Sequence, residues 1–253
     1  MEKVRERKRR SKATLAIFKV IFVLVVFGAV GGYIWSSDYY RASVTALEAL
    51  ESGVINEKGD IVFDVEGTDR GVIIYPGGKV DEKAYALLAK SISEQGYDAY
   101  VAKMPLRLAI LGTGRAERIM EENTEVTEWV IIGHSLGGVA ASRFIVKNPE
   151  GIKGLILLAS YPDDKTDLTA AGIKVQSLIG TEDRIVDRAA LGAADTRLGK
   201  DYVKVEVPGG NHSYFANYGV QEGDGEAIIG YGMQQSLVLK AVSDIFAPEP
   251  SAE

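Results

Sequence analysis

Trp129-Val130-Ile131-Ile132-Gly133-His134-Ser135-Leu136-Gly137-Gly138 is a short apolar run that ends in a serine flanked by glycines. The residues that follow, Leu136–Lys147, carry apolar side chains at helical spacing. Strand, Gly-x-Ser-x-Gly and helix in that order predict a sharp turn that lifts Ser135 Oγ to the top of a sheet. A Cβ at Gly133 or Gly137 would collide with the adjoining strand or helix. Gly138, Ala140 and Ala141 let the helix lie close to the sheet, and its N-terminus favours negative charge developing nearby.

The same alternation extends in both directions. Val72–Tyr75, Ala99–Ala102, Trp129–Ile132, Gly154–Leu158, Val175–Ile179 and Val203–Val207 read as strands buried on both faces. Helical segments at Asp81–Glu94, Arg115–Asn123, Leu136–Lys147 and Asp187–Leu198 separate most of them, and Glu226–Phe246 follows the last. Ahead lie two short strands, Val54–Asn56 and Asp60–Glu66, and a helix over Tyr39–Glu51 capped by Asp38. The pattern predicts an α/β fold with a mostly parallel sheet covered by helices on both sides. Ligands of such sheets sit beyond the carboxyl ends of the strands, so the residues after each strand are the candidates for chemistry.

After Val175–Ile179 comes Gly180-Thr181-Glu182-Asp183, where Asp183 is the candidate acid, with Glu182 and Asp187 as rivals. After Val203–Val207 comes Pro208-Gly209-Gly210-Asn211-His212. The chain has two histidines; His134 is inside the serine turn, so a histidine general base must be His212. The order Ser135, Asp183, His212 differs from the chymotrypsin and subtilisin orders. After Val72–Tyr75 comes Pro76-Gly77-Gly78-Lys79, whose backbone N–H groups could form an oxyanion hole with that of Leu136. Lys79 is favoured as the donor by its place after the glycines, with Gly78 as the alternative. The expected nucleophile elbow is thus Gly133, His134 and Gly137 around Ser135.

Composition narrows the classes. Residues 1–12 hold seven Lys/Arg against two Glu, a local charge of +5, so the overall −6 leaves −11 on residues 13–253. An acidic body argues against nucleic acid as a partner. No cysteine and two histidines argue against a thiolate nucleophile or a metal centre, and no cofactor is expected. Residues 13–35 are apolar except for Thr14 and Lys19. As a helix they would span roughly 35 Å, enough for a hydrocarbon core of about 30 Å. The cationic flank predicts a single-pass anchor with a cytoplasmic N-terminus and an extracytoplasmic catalytic domain, the lipid bilayer being its partner. The alternative is secretion after signal cleavage near Ala29-Val30-Gly31. The expected division is a basic head 1–12, an anchor 13–35, a juxtamembrane helix 36–52, a catalytic domain 53–247 and a disordered tail 248–253.

Residues 53–246 resemble the α/β-hydrolases, and within them the small bacterial group described as alpha/beta hydrolase fold-5. The likeness is carried by Tyr75–Asp81, Met104-Pro105-Leu106, Gly133–Gly138, Gly180–Asp183, Gly209–His212 and Phe215–Gly225. The group is similar in size to dienelactone hydrolases, which use cysteine where this chain has Ser135. The resemblance implies an α/β-hydrolase fold and a serine hydrolase, carboxylesterase-like and acting on a small-molecule ester. Tyr161, Tyr218 and Gln221 are candidate pocket residues. The segment Tyr161–Ile173 is too short and too charged for a lid, which predicts small or short-acyl substrates. Acyl transfer or amide hydrolysis by the same triad is the alternative, and a non-catalytic binding module on the same scaffold is a third reading. The oligomeric state is not legible.

Overall fold

The computed structural model describes residues 2–248. The chain divides into two compact units, Met1–Tyr39 and Tyr40–Glu253. The first contains one helix, α1 (Glu2–Ser37), which runs through the expected basic head and anchor without a break. Among the described residues no helix is long and apolar enough to cross a membrane. Large apolar side chains along α1, among them Phe18, Phe22, Leu24 and Phe27, are exposed. The expected tail lies, from residue 249 on, outside the described residues.

The second unit is built on eight strands: β1 (Val54–Ile55), β2 (Ile61–Phe63), β3 (Arg70–Tyr75), β4 (Asp98–Val101), β5 (Glu128–His134), β6 (Ile152–Leu158), β7 (Lys174–Gly180) and β8 (Tyr202–Val207). Their order across the sheet is β1-β2-β4-β3-β5-β6-β7-β8. Pairings from β4 through β8 are parallel, whereas β1–β2 and β2–β4 are antiparallel. The helices are α2 (Val44–Leu50), α3 (Ala86–Ser93), α4 (Arg115–Glu122), α5 (Leu136–Lys147), α6 (Arg188–Ala194) and α7 (Tyr231–Phe246).

The two-faced burial read from the apolar runs is visible residue by residue. Along β3, Val72 and Ile74 join a core with α3 and α7 residues such as Leu88, Ile92, Val238 and Val242. Ile73 and Tyr75 point the other way, into a core with Ile119 of α4 and Phe144 and Ile145 of α5. Period-2 alternation thus feeds two cores from one strand.

The helix expected over Tyr39–Glu51 is shorter than its apolar spacing suggested. Tyr40 is extended and bridged to Val80: its N–H donates to the Lys79 carbonyl, and its carbonyl accepts from the Asp81 N–H. That pairing excludes helical backbone there, so α2 starts at Val44 with Ser43 Oγ accepting from the Ala46 N–H. The last helix likewise starts at Tyr231 rather than Glu226.

Candidate active site

Ser135 sits between β5 and α5 with φ 50° and ψ −122°, a left-handed conformation costly for a residue with a Cβ. Close packing holds it there. A Cβ on Gly133 would lie 2.3 Å from the Gly138 Cα, and one on Gly137 would lie 2.1 Å from the Tyr75 carbonyl oxygen. Ser160, just past β6, donates its hydroxyl to the Ser135 carbonyl at 2.6 Å, and the Ser135 N–H donates to the Leu158 carbonyl. Ser160 was not legible as a support because nothing adjacent in sequence marks it.

Asp183, beyond β7, is buried and accepts on Oδ2 from His212 Nδ1 at 2.9 Å. Its Oδ1 accepts the Ile185 and Val186 N–H groups at 2.8 and 2.9 Å. Burial works to raise its pKa, but the hydrogen bond and charge of His212, with the two amides, hold the carboxyl below the usual range. The rivals have other tasks. Asp187 caps α6 through the Ala189 and Ala190 N–H groups, and Glu182 accepts from the Thr181 hydroxyl.

His212 is held from several sides. Asp224 accepts the His212 N–H at 3.3 Å, the Ser213 N–H at 2.9 Å and the Gly225 N–H at 2.8 Å. Asn211 donates its N–H to Gln234 Oε1 and accepts from Gln234 Nε2 on its carbonyl, while its side chain donates to the Gly225 carbonyl. The segment Phe215–Gly225 is therefore a clamp. It closes on the Asp183 loop as well, since a Cβ on Gly225 would lie 1.9 Å from the Glu182 carbonyl oxygen. Asp224 and Gln234 could not be singled out from the sequence.

Ser135, His212, Leu136, Val139, Ser160, Tyr161, Ile185, Val186 and Asp187 line one cleft of about 260 Å³. No hydrogen bond joins Ser135 Oγ to His212; catalytic hydrogen bonds are often long before substrate arrives. Tyr161 lines the cleft as expected. Tyr218 and Gln221 do not. Tyr218 is buried against Tyr40 and His134, and its hydroxyl donates to Gln221 at 2.8 Å, so this pair braces a loop instead of forming a wall.

The favoured oxyanion donor is also corrected. The Lys79 N–H donates to the Arg107 carbonyl at 2.9 Å and is not available to a ligand. The N–H groups of Gly78 and Leu136 have no hydrogen-bond partner among the described residues. A Cβ built on Gly78 would touch the Leu136 side chain at 3.1 Å, which places the two residues side by side. Counting positions after glycines failed because Lys79, at φ 58°, turns its amide away.

His134 is fully buried, below the cleft. Burial and the proximity of His212 hold its pKa well below the ordinary value of 6.5. Among the described residues no group of acidic and histidine side chains is arranged to hold a metal ion.

With this geometry in place, comparison with known proteins is direct. Residues 71–236 match the alpha/beta hydrolase family, and the chain belongs to it. It is similar in fold to a protein described as a predicted CIB-like hydrolase from Thermoplasma acidophilum, with 16% identity and a TM-score of 0.58 over 75% of this chain and 96% of that one. It is also similar to a Nitrososphaera gargenis structure from a study of carboxylesterases (9% identity, TM-score 0.56, 76% and 98% coverage). Naproxen esterase from Bacillus subtilis aligns at 12% identity with a TM-score of 0.55, covering 80% and 95%. No curated protein matches the chain in sequence.

Proposed function

We propose that the protein is a membrane-tethered serine hydrolase that cleaves small or short-acyl carboxylic esters. The observation that carries the reading is the buried Asp183–His212 hydrogen bond beside a cleft that His212 shares with Ser135. In this scheme Ser135 Oγ attacks the ester carbonyl as His212 takes its proton, and Asp183 holds the ring and offsets the imidazolium charge. The carbonyl oxygen becomes an oxyanion facing the Gly78 and Leu136 N–H groups. The C–O bond to the alcohol then breaks, with His212 returning the proton to the leaving oxygen. Water repeats the cycle on the acyl-enzyme, releasing the acid and restoring Ser135.

Esterase neighbours agree with an ester substrate, although their identities of 9% and 12% speak only to the fold. The cleft is smaller than the roughly 300 Å³ at which drug-sized sites begin. Between β6 and β7 residues 159–173 form turns with no helix, so that segment supplies no helical insert over it. Full-length protein incubated with a fluorophosphonate should be labelled at Ser135, and Ser135→Ala should escape. Absence of labelling in protein that hydrolyses esters would remove Ser135 from the reaction.

The tether rests on the sequence 13–35 and on the exposed apolar surface of α1, not on a spanning element of the structure. A helix apolar on all sides with a basic start fits an N-inside anchor and an extracytoplasmic domain. Protease added to intact spheroplasts should remove a C-terminal tag. A tag protected until lysis would reverse the orientation, and a mature N-terminus near Gly32 would favour secretion.

A further inference from the structure

Directly behind the proposed oxyanion donors is a buried polar chain that the reaction above does not use. The Gly77 N–H donates to Tyr85 Oη at 2.8 Å, and Tyr85 Oη lies 2.7 Å from His134 Nδ1. Tyr85 and His134 are both fully buried. His134 is held in its neutral form by burial, so Nδ1 can accept the Tyr85 O–H while Nε2 carries the proton. Nε2 has no hydrogen-bond partner among the described residues. The two imidazole rings lie 4.8 Å apart at 45°. Space is tight: a Cβ on Gly77 would sit 3.0 Å from His134 Nδ1 and 3.3 Å from Tyr85 Oη.

Three parts of the site therefore meet at one phenol. The loop after β3, the last residue of β5 and the end of the 3-10 helix Glu82–Tyr85 are joined through Tyr85 Oη. The amide it captures belongs to Gly77, one residue before the free Gly78 amide. The neighbouring Lys79 amide is tied to Arg107 on the other side. Gly78, which as a glycine has wide backbone freedom, is thus pinned at both flanks.

We infer that Tyr85, anchored on His134, is a positioning residue that aims the Gly78 N–H at the developing oxyanion. This deepens the serine-hydrolase reading and rests on it. Preorganised donors contribute in the transition state far more than in the ground state, so a misaimed amide lowers turnover more than substrate binding.

The fold offers its own control. Tyr75 is also a buried tyrosine with a bridging hydroxyl: it donates to the Thr113 carbonyl at 2.7 Å and accepts the Ala116 N–H at 2.8 Å. It touches neither Gly77 nor His134 through that hydroxyl. In the full chain, Tyr85→Phe and Tyr75→Phe each delete one oxygen and leave the ring in place. Turnover of a short-acyl ester, KM, melting temperature and affinity for a trifluoromethyl ketone are measured for both; the ketone forms a tetrahedral adduct with the nucleophile. Tyr85→Phe should lose about 10- to 100-fold in kcat and in ketone affinity, with KM within about threefold of wild type. Tyr75→Phe should keep both at a similar loss of melting temperature.

A second pair of variants guards against a phenylalanine at 85 that does not fold. His134→Leu removes the anchor and should reproduce the loss. His134→Asn retains an acceptor near the Nδ1 position and should recover at least about tenfold over His134→Leu. Equal kcat losses in Tyr85→Phe and Tyr75→Phe, or unchanged ketone affinity in Tyr85→Phe, overturn the inference while leaving the hydrolase reading intact. A wild-type chain that neither turns over esters nor labels at Ser135 overturns both.

Discussion

The serine turn and the histidine loop reach the same cleft by different physical means. Around Ser135 the structure is held by exclusion: Gly133, Gly137 and Gly138 are positions where a Cβ would overlap backbone or side-chain atoms at 2.1–2.3 Å. Around His212 attraction is added to exclusion: a Cβ on Gly225 would meet the Glu182 carbonyl, and beyond the adjacent Gly225 N–H the bonds of Asp224, Asn211 and Gln234 reach partners 11 to 23 residues away in the chain. Exclusion needs small residues close together in the chain and leaves a local signature. Attraction needs only that distant polar groups meet, and leaves none.

The largest effects should come from the residues that both regions serve. Ser135→Ala, His212→Ala and Asp183→Asn should each reduce kcat/KM by about 10⁴-fold or more, and pairs of them little further, because a triad acts as a unit. Steady-state kinetics on the three singles and one double decide this. Glu182→Gln and Asp187→Asn should change turnover only mildly. A crippling Asp187→Asn beside a harmless Asp183→Asn would move the acid from Asp183 to Asp187.

Next come variants that separate the two means of support. Gly137→Ala drives a Cβ into the Tyr75 carbonyl, an overlap that the sheet cannot relieve by a rotamer change. It should cost about 3 kcal/mol, or about 6–12 °C in melting temperature for a domain of this size. Asp224→Ala should behave in the opposite way. Its partners are the N–H groups of buried His212, Ser213 and Gly225, but Asp224 is itself only half-buried, so water can enter where the carboxylate stood and the loss in stability should be smaller. The imidazole, however, loses its register, and a shift of about 1 Å can lower turnover by about 100-fold. If both variants lost stability and activity in the same proportion, the contrast between the two regions would not hold.

That contrast also explains what could be read in advance. The parallel sheet, the range of α5 and the pairing of Asp183 with His212 follow from strand–helix alternation and from chain order. The expectation that Lys79 offers a free amide fails because that N–H is taken by the carbonyl of Arg107, a partner 28 positions on. Tyr218 and Gln221 were misplaced because proximity to His212 in sequence says nothing about which side of the loop faces the cleft. The start of α2 moved because Tyr40 pairs with Val80 in the loop after β3, a tertiary contact that overrides its helical spacing.

The buried histidine of the serine turn makes a smaller, pH-dependent prediction. His134 stays neutral in the folded chain well below its ordinary value of 6.5, because burial and nearby His212 both oppose its charge. In the unfolded chain it takes up a proton near pH 6.5. The unfolded state therefore binds more protons below that pH, and stability must fall as pH falls, by up to about 1.4 kcal/mol per unit from this group. The contribution is complete above about pH 7. Urea unfolding at pH 7.5 and 5.5 should show the decline, and His134→Asn should flatten it. Asp183, whose carboxyl is held low, has the same sign but acts only in the more acidic range where carboxylates titrate. A decline of equal slope in His134→Asn would assign it to other groups.

The smallest expected effect is an absence of gain along the acyl chain. Each methylene that leaves water should contribute about 0.8 kcal/mol, nearly a fourfold rise in kcat/KM. The cleft beside Ser135 encloses only about 260 Å³, with Leu136, Val139, Ile185 and Val186 as its apolar walls. Residues 159–173, where a covering insert would stand, form open turns. The nearby Asp163 and Arg143 are paired to each other at 2.5 Å, and Asp164 is almost wholly exposed, so that rim is wet and charged. Methylenes beyond the walls remain in water and add nothing. We expect kcat/KM to rise across the first few carbons and to lie flat or fall beyond about C6, by the methylene argument. A steady climb to about C12, measured below the micellar concentration, would require about six further buried methylenes and hence a wall that this unit does not provide. Repeating the series with vesicles present then locates that wall: a climb that appears only with lipid assigns it to the bilayer, and a climb in both assigns it to a rearranged cleft.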